Sequence, residues 1–164
     1  MKFNFQAFSA IYLHEMDRFK RTLMQSLFSP VLSTSLYFIV FGSVIGGYVE
    51  NIDGISYGSY IVPGLLMLTL LTQSISNTSF GIFFPKFNGT IYEILAAPIS
   101  TFEIVLAFVG AGATKTLIVG IVIFVTSTFF VEVQVMYPLL MVFLLILVAF
   151  TFALFGFLIG LMSS

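Results

Sequence analysis

The sequence contains no cysteine, no tryptophan and a single histidine, and it has very few charged residues. Without cysteine it cannot hold a disulfide framework, a thiolate zinc site or a cysteine nucleophile. His14 alone cannot supply a multi-histidine metal site or a nucleophile–base pair, so we expect no bound metal and no catalytic residues. The formal net charge of −1 gives a nucleic acid no basic surface to bind, so we expect no nucleic-acid partner.

What the sequence has in abundance is apolar side chains. Hydrophobic residues make up 59% of the 164 positions and charged residues only 8%, whereas ordinary soluble domains have about 25% charged residues. So few charges cannot cover the surface of a soluble globule of this size. The composition therefore predicts an all-α, polytopic membrane helix bundle, organised as one transmembrane domain over residues 1–164.

Four long apolar runs indicate four membrane spans. A helix needs about 20 mostly apolar residues to cross the hydrocarbon core. We predict spans at residues 30–47, 60–84, 102–131 and 138–162, the first beginning at Ser29-Pro30, where a capping hydroxyl precedes proline. The acids and glycines of residues 48–59 predict a loop, and residues 132–137 a short turn.

Residues 1–29 have the pattern of an amphipathic helix. Apolar side chains recur there at steps of three and four positions, at Phe5, Phe8, Tyr12, Met16, Phe19, Leu23 and Leu27. We predict a helix in the plane of the membrane interface, the alternative being a helix packed against the bundle. The Lys and Arg counts of successive connections, four, none, one and none, place the N-terminus in the cytoplasm.

Polar residues within the spans are candidates for a transport pathway. Lys115 lies about 12 residues into the third run, where a lysine costs about 2.5–3.5 kcal/mol to insert. It must line a wet pathway or form a buried structural pair, and Glu103, three turns away, is a poor partner. Thr69, Gln73 and Asn77 form a stripe along one helical face. These side chains either form hydrogen bonds with neighbouring helices or contact a transported substrate.

Two pairs of small residues suggest close helix packing. A separate glycine-rich stretch resembles a phosphate-binding loop but does not match its pattern. Gly42 with Gly46, and Gly156 with Gly160, have the small-xxx-small spacing. The stretch before Lys115-Thr116 lacks the glycine that a phosphate-binding loop requires immediately before its lysine. We therefore expect no cofactor in this chain.

Two strings of the sequence carry a family resemblance. The first is Tyr60-Ile-Val-Pro-Gly-Leu-Leu, and the second runs from Lys86 to Ser100, KFNGTIYEILAAPIS. Together they resemble the permease subunits of ABC type-2 transporters, in which Pro-Gly-Leu-Leu opens the second span and a Gly-Thr-Leu-Glu-x-Leu-Leu-x-x-Pro-Leu-Ser-like string follows it. Tyr92 departs from the glutamate common in the family, and the usual basic cluster is reduced to Lys86.

The resemblance implies that residues 85–101 are a cytoplasmic coupling segment, with a coupling helix over 87–97. This helix would contact a separate ATP-binding cassette ATPase subunit, which carries the ATP. The implied contact residues are Lys86, Gly89, Thr90, Tyr92, Glu93, Ile94 and Pro98, while Ile91, Ile94 and Leu95 would anchor the helix to the bundle.

The resemblance also implies a homodimeric exporter of drug-, lipid- or glycan-like substances in the lipid bilayer. Family members typically have six spans, so we expect this chain to be the N-terminal two thirds of one. An ATP-independent channel or carrier, and an anchoring protein without transport, remain alternatives from the residues alone.

Overall fold

The computed structural model describes residues 4–45, 48, 51–52 and 54–163, and it is almost entirely helical. Four of its helices are long and apolar enough to cross a membrane, which confirms the all-α membrane bundle. In chain order the elements are α1 (Phe5–Arg21), α2 (Leu23–Tyr37), a π-helical segment (Phe38–Ile45), β1 (Asn51–Ile52), β2 (Ile55–Ser56), α3 (Tyr57–Phe87), α4 (Ile91–Ala96), α5 (Thr101–Phe130) and α6 (Pro138–Met162).

The boundary between α1 and α2 lies at Thr22, so the predicted helix start at Ser29-Pro30 is wrong. The Thr22 hydroxyl donates to the carbonyls of Arg18 and Phe19, both at 3.3 Å, and such bonds compete with the helical pattern. Pro30 is buried in the interior of α2. The first helix long enough to span therefore begins at Leu23, seven residues before the predicted start.

The second span is also longer than predicted. β1 and β2 form a two-residue antiparallel hairpin within the segment predicted to be a loop, and α3 begins directly after it because the Ser56 hydroxyl caps the Ser59 N–H. The helix continues through Pro85 to Phe87, although the sequence predicts a break at this proline. At 31 residues and about 1.5 Å per residue, α3 exceeds the thickness of the hydrocarbon core.

α3 ends in a turn that leads to the short helix α4. Gly89 adopts a φ of +77° there, a conformation that favours glycine. After α4, a capping box starts α5: Ser100 and Glu103 exchange hydrogen bonds between their side chains and backbone N–H groups. The Asn4 N–H also donates to Glu103, at 2.5 Å, which joins the start of α1 to the start of α5.

α3 and α5 form the centre of the bundle. α3 contacts both α5 and α6, and α5 also contacts α1 and α2. Phe19 of α1 packs on Val119 and Ile123 near the middle of α5. Contacts thus follow α5 from Glu103 to Ile123, so α1 packs lengthwise on the bundle, as in the alternative placement above, instead of lying apart from it.

α3 and α6 approach each other closely at the glycine pair of α6. A Cβ atom on Gly156 would lie 2.9 Å from the Cα of Ile75, and one on Gly160 would lie 2.7 Å from the carbonyl oxygen of Ser79. Both helices therefore meet backbone to backbone. Of the other predicted pair, Gly42 belongs to the π-helical segment, and Gly46 lies outside the described residues.

Candidate functional site

α2 and α3 present polar faces to each other across a cleft of about 190 Å³. The α2 side contributes Ser29, Ser33, Thr34 and Tyr37, and the α3 side contributes Thr69, Thr72 and Gln73. Polar side chains in a membrane bundle normally face the protein interior or a water-filled space. The cleft is therefore the candidate path for a polar molecule through this part of the bundle.

The hydroxyl groups of the cleft are oriented to accept hydrogen bonds. Thr69 and Thr72 donate to the carbonyls of Leu65 and Leu68, one turn back, at 2.8 and 2.9 Å. A hydroxyl that donates in this way keeps its lone pairs for an incoming donor. The side chain of Gln73 has no hydrogen bond within the described part of the chain, so its side-chain amide can both donate and accept.

A second, smaller cavity of about 100 Å³ lies among α1, α2, α3 and α5. Six of its eight lining residues are polar, and two of these, Arg18 and Lys115, are cations. The other lining residues are Thr22, Ser26, Ser76 and Asn77, with Phe19 and Phe80. Asn77 lies on the same face of α3 as Gln73, because the two residues are four positions apart in the helix. The two cavities therefore follow one continuous polar face of α3.

The partner of Lys115 is Glu15 of α1, at 2.7 Å between the ammonium and a carboxylate oxygen. Both side chains are buried, with exposed fractions of 4% and 3%. The same carboxylate oxygen accepts from Arg18 at 2.9 Å. A buried charge without a partner is strongly unfavourable, so this pair fixes α1 against α5.

The structure brings the four predicted pathway residues to one side of α3 in two groups. Thr69 and Gln73 line the larger cavity, while Asn77 and Lys115 line the smaller one. Lys115 forms a buried pair, which was one of the two alternatives, and it also lines the smaller cavity. A role for Lys115 in a transport pathway stays a prediction. The Asn77 side-chain nitrogen is buried without a hydrogen-bond partner among the described residues.

Sequence reasoning missed the α2 side of the cleft and the role of Glu15. Hydroxyl-bearing residues recur along α2 at helical spacing, as Thr22, Ser26, Ser29, Ser33 and Tyr37, and this periodicity could have indicated the polar face. Glu15 precedes Arg18 by one helical turn, and nothing in the sequence connects it to a residue 100 positions away.

The predicted coupling helix is shorter than expected, since α4 covers only Ile91–Ala96 of residues 87–97. Ile91 and Ile94 pack against the main apolar core, but Leu95 is 62% exposed. The prediction that Leu95 anchors the helix is therefore wrong. Positions 91, 94 and 95 share one helical face, but α4 is rotated so that only Ile91 and Ile94 meet the core. Tyr92 is 73% exposed.

The remaining predicted contact residues lie around α4 in different environments. Glu93, Thr90 and Pro98 are exposed, and Gly89 forms the turn before α4. Lys86 instead donates to carbonyls at the end of α6, among them that of Leu161 at 2.7 Å. Since a cation is favourable at a helix C-terminus, Lys86 links the end of α3 to the end of α6.

A comparison with known protein families shows to which family the chain belongs. The family model described as ABC-2 type transporter matches residues 6–164. The chain belongs to this family.

Curated relatives of the chain are inner membrane transport permeases of enteric bacteria. It is 38% identical over 158 residues to the inner membrane transport permease YadH of Escherichia coli K12, and equally to those of Escherichia coli O157:H7 and Shigella flexneri. The aligned region covers 96% of this chain but 62% of each relative. No solved structure matches the chain.

Proposed function

We propose that this chain belongs to the transmembrane permease subunit of an ATP-binding cassette exporter, placed in the bacterial inner membrane with its N-terminus in the cytoplasm. A separate ATPase subunit hydrolyses ATP, and two permease copies form the transport path. The cargo is a drug-, lipid- or glycan-like substance. The observation that carries this proposal is the polar cleft between α2 and α3 in an otherwise apolar bundle of this family.

The cleft supports transport because polar side chains line a space between two helices of an apolar bundle, and no hydrogen bond joins these helices across it within the described part of the chain. Hydroxyl and amide groups line it on both sides, including Ser33, Thr69 and Gln73. A cargo molecule crossing the bundle can exchange its hydrogen bonds with water for bonds to these groups, which lowers the cost of leaving water. In the proposed homodimer, the second copy closes the open side.

The exposed surface of α4 supports coupling to a partner subunit. Tyr92 and Leu95 are 73% and 62% exposed, and Glu93 lies between them. Aromatic side chains such as Tyr92 are enriched at the core of protein interfaces, whereas charged side chains such as Glu93 are typical of the rim. Ile91 and Ile94 hold the other side of α4 against the core, so a push on α4 is passed to the helices behind it.

The test separates docking from folding. The full-length protein is co-expressed with its candidate ATPase subunit, and ATP hydrolysis and cargo export are measured for Tyr92→Ala/Leu95→Ala. We expect loss of co-purification and of stimulated hydrolysis, because two exposed interface side chains are removed without disturbing the core. Ile94 is unsuitable here, since its substitution would also disturb the packing of α4.

Met136→Ala is the matched control, because Met136 is 82% exposed and lies in the connection between α5 and α6. It should retain full coupling. Normal coupling in Tyr92→Ala/Leu95→Ala would contradict the assignment of α4, and cargo flux through the protein alone in liposomes would favour an ATP-independent channel or carrier.

A further inference from the structure

The small cavity beside Lys115 contains more positive than negative charge. Arg18 and Lys115 share the single carboxylate of Glu15, at 2.9 and 2.7 Å, which leaves one positive charge in excess. The next acid along α1, Asp17, pairs with Lys20 at 3.0 Å on the exposed side of the helix and does not compensate it. Two cations that share one carboxylate are stabilised by a second anion.

The same cavity also holds hydrogen-bond donors that have no acceptor among the described residues. An ammonium group has three N–H donors, and Lys115 uses one of them on Glu15. The amide nitrogen of Asn77 is buried without a partner. Buried donors of this kind are normally satisfied, so their presence beside an excess positive charge indicates a missing acceptor with negative charge.

We propose that this cavity binds a phosphate group, with Arg18, Lys115 and Asn77 as its principal donors. A phosphate offers several acceptor oxygens in a compact tetrahedron, which suits an arginine, an ammonium and an amide that converge from different helices. The hydroxyls of Ser26 and Ser76, which also line the cavity, complete the ring of donors. The cavity is open to the outside beside Phe80, which is 59% exposed, and beside Arg18, whose side chain is 34% exposed.

The dimensions of the cavity restrict what enters it. Its volume is about 100 Å³, whereas a cavity needs about 10–15 Å³ on the same measure to hold one water molecule. The site therefore holds a group of phosphate size, and any larger molecule must extend outward, for example into the polar cleft between α2 and α3. The phosphate source is either a lipid headgroup or a soluble phosphate. We expect the bound phosphate to be part of the transported cargo, and this role of the cavity rests on the proposed function.

The test uses the full-length protein in micelles of a maltoside detergent, which carries no phosphate. Binding of dioctanoyl phosphatidic acid, inorganic phosphate and uncharged dioctanoylglycerol is measured by calorimetry and by the shift in Tm. We expect phosphatidic acid, inorganic phosphate or both to bind and raise the Tm, and dioctanoylglycerol to have no effect. Binding of only the lipid identifies a headgroup, and binding of inorganic phosphate identifies a soluble source.

Arg18→Gln removes the excess charge but keeps the buried Glu15–Lys115 pair intact. We expect it to weaken phosphate binding about tenfold or more, as for loss of one charged hydrogen bond. Arg21→Gln is the matched control, because Arg21 is exposed outside the cavity and its loss changes the net charge equally. Asn77→Leu should weaken binding about threefold or more without loss of folding, since no intramolecular hydrogen bond is lost.

The proposal is overturned if neither phosphate probe binds, if dioctanoylglycerol binds equally well, or if Arg18→Gln and Arg21→Gln reduce binding to the same extent. Failure of the proposed function would be visible separately, as absence of ATPase association and stimulated hydrolysis in the unsubstituted protein, whether or not phosphate binds.

Discussion

The two sides of α3 show opposite ways for a membrane helix to meet its neighbours. Toward α6, the glycines at 156 and 160 let the two backbones approach until a single added carbon would collide. Toward α2, serine, threonine and glutamine side chains face a cleft of about 190 Å³. In a bilayer, lipid tails are as apolar as leucine, so the hydrophobic effect does not drive helices together. Close packing joins α3 to α6, whereas a polar cleft separates α3 from α2.

The difference indicates which interface is fixed and which can change. Ser74 of α3 donates to the carbonyl of Ala149 of α6 at 2.6 Å in a buried position, so the α3–α6 contact combines van der Waals packing with a hydrogen bond. The cleft has no comparable bond across it within the described part of the chain. We therefore expect α3 and α6 to move as one body and α2 to move relative to them.

The largest expected effect tests what holds α1 against α5. Lys115→Leu should destabilise the protein by about 3 kcal/mol, the low end for breaking a buried ion pair, because the buried carboxylate of Glu15 keeps only the partly exposed Arg18 as a partner. The double substitution Glu15→Leu/Lys115→Leu should recover much of that loss. Thermal unfolding in detergent measures both, and a Lys115→Leu protein as stable as the wild type would show that the pair does not fix α1.

The next largest effect tests the packed side of α3. Gly156→Ala should cost about 1–3 kcal/mol, the usual range for overpacking, because the new carbon meets the Ile75 backbone at 2.9 Å or less. Gly64→Ala is the control, since nothing lies within 4 Å of its Cβ position. Chemical denaturation in micelles should show no loss for the control. Equal effects of the two substitutions would mean that close approach does not stabilise the α3–α6 contact.

The smallest effect on stability tests the open side. Gln73→Leu should change the unfolding free energy by no more than about 0.5 kcal/mol, as for a substitution outside the packed core, because Gln73 has no hydrogen bond to lose among the described residues. It should nevertheless reduce cargo export, measured with the ATPase subunit present. Thr151→Leu is the control, since Thr151 is an exposed hydroxyl on α6 outside the cleft. Unchanged export in Gln73→Leu would remove the cleft from the transport path.

Several features of the fold could be predicted from local sequence. The run after Tyr137 has no charge, and α6 has the predicted bounds of 138–162. The capping box at Ser100 and Glu103 is a readable signature that was overlooked. The predictions at Pro30 and Pro85 were wrong because each proline lies within a helix, which membrane helices tolerate more readily than soluble ones.

The candidate site was only half predictable for a different reason. The stripe Thr69, Gln73 and Asn77 follows from helical spacing on one segment, but the facing hydroxyls belong to α2. A stripe shows that a helix has a polar face, and it does not say which other helix that face meets. The exposure of Leu95 has the same origin, since the rotation of α4 is set by the surface on which it packs.

By itself the sequence determined that this is a membrane protein of four spanning helices with a polar stripe and one costly lysine, because composition, run length and helical period are local properties. Only the tertiary structure decided that Glu15 neutralises Lys115, that α6 meets α3 through two glycines, and that α2 completes a cleft. Each of these depends on which distant segments become neighbours, and in the bilayer that choice is made by shape and by the pairing of buried polar groups.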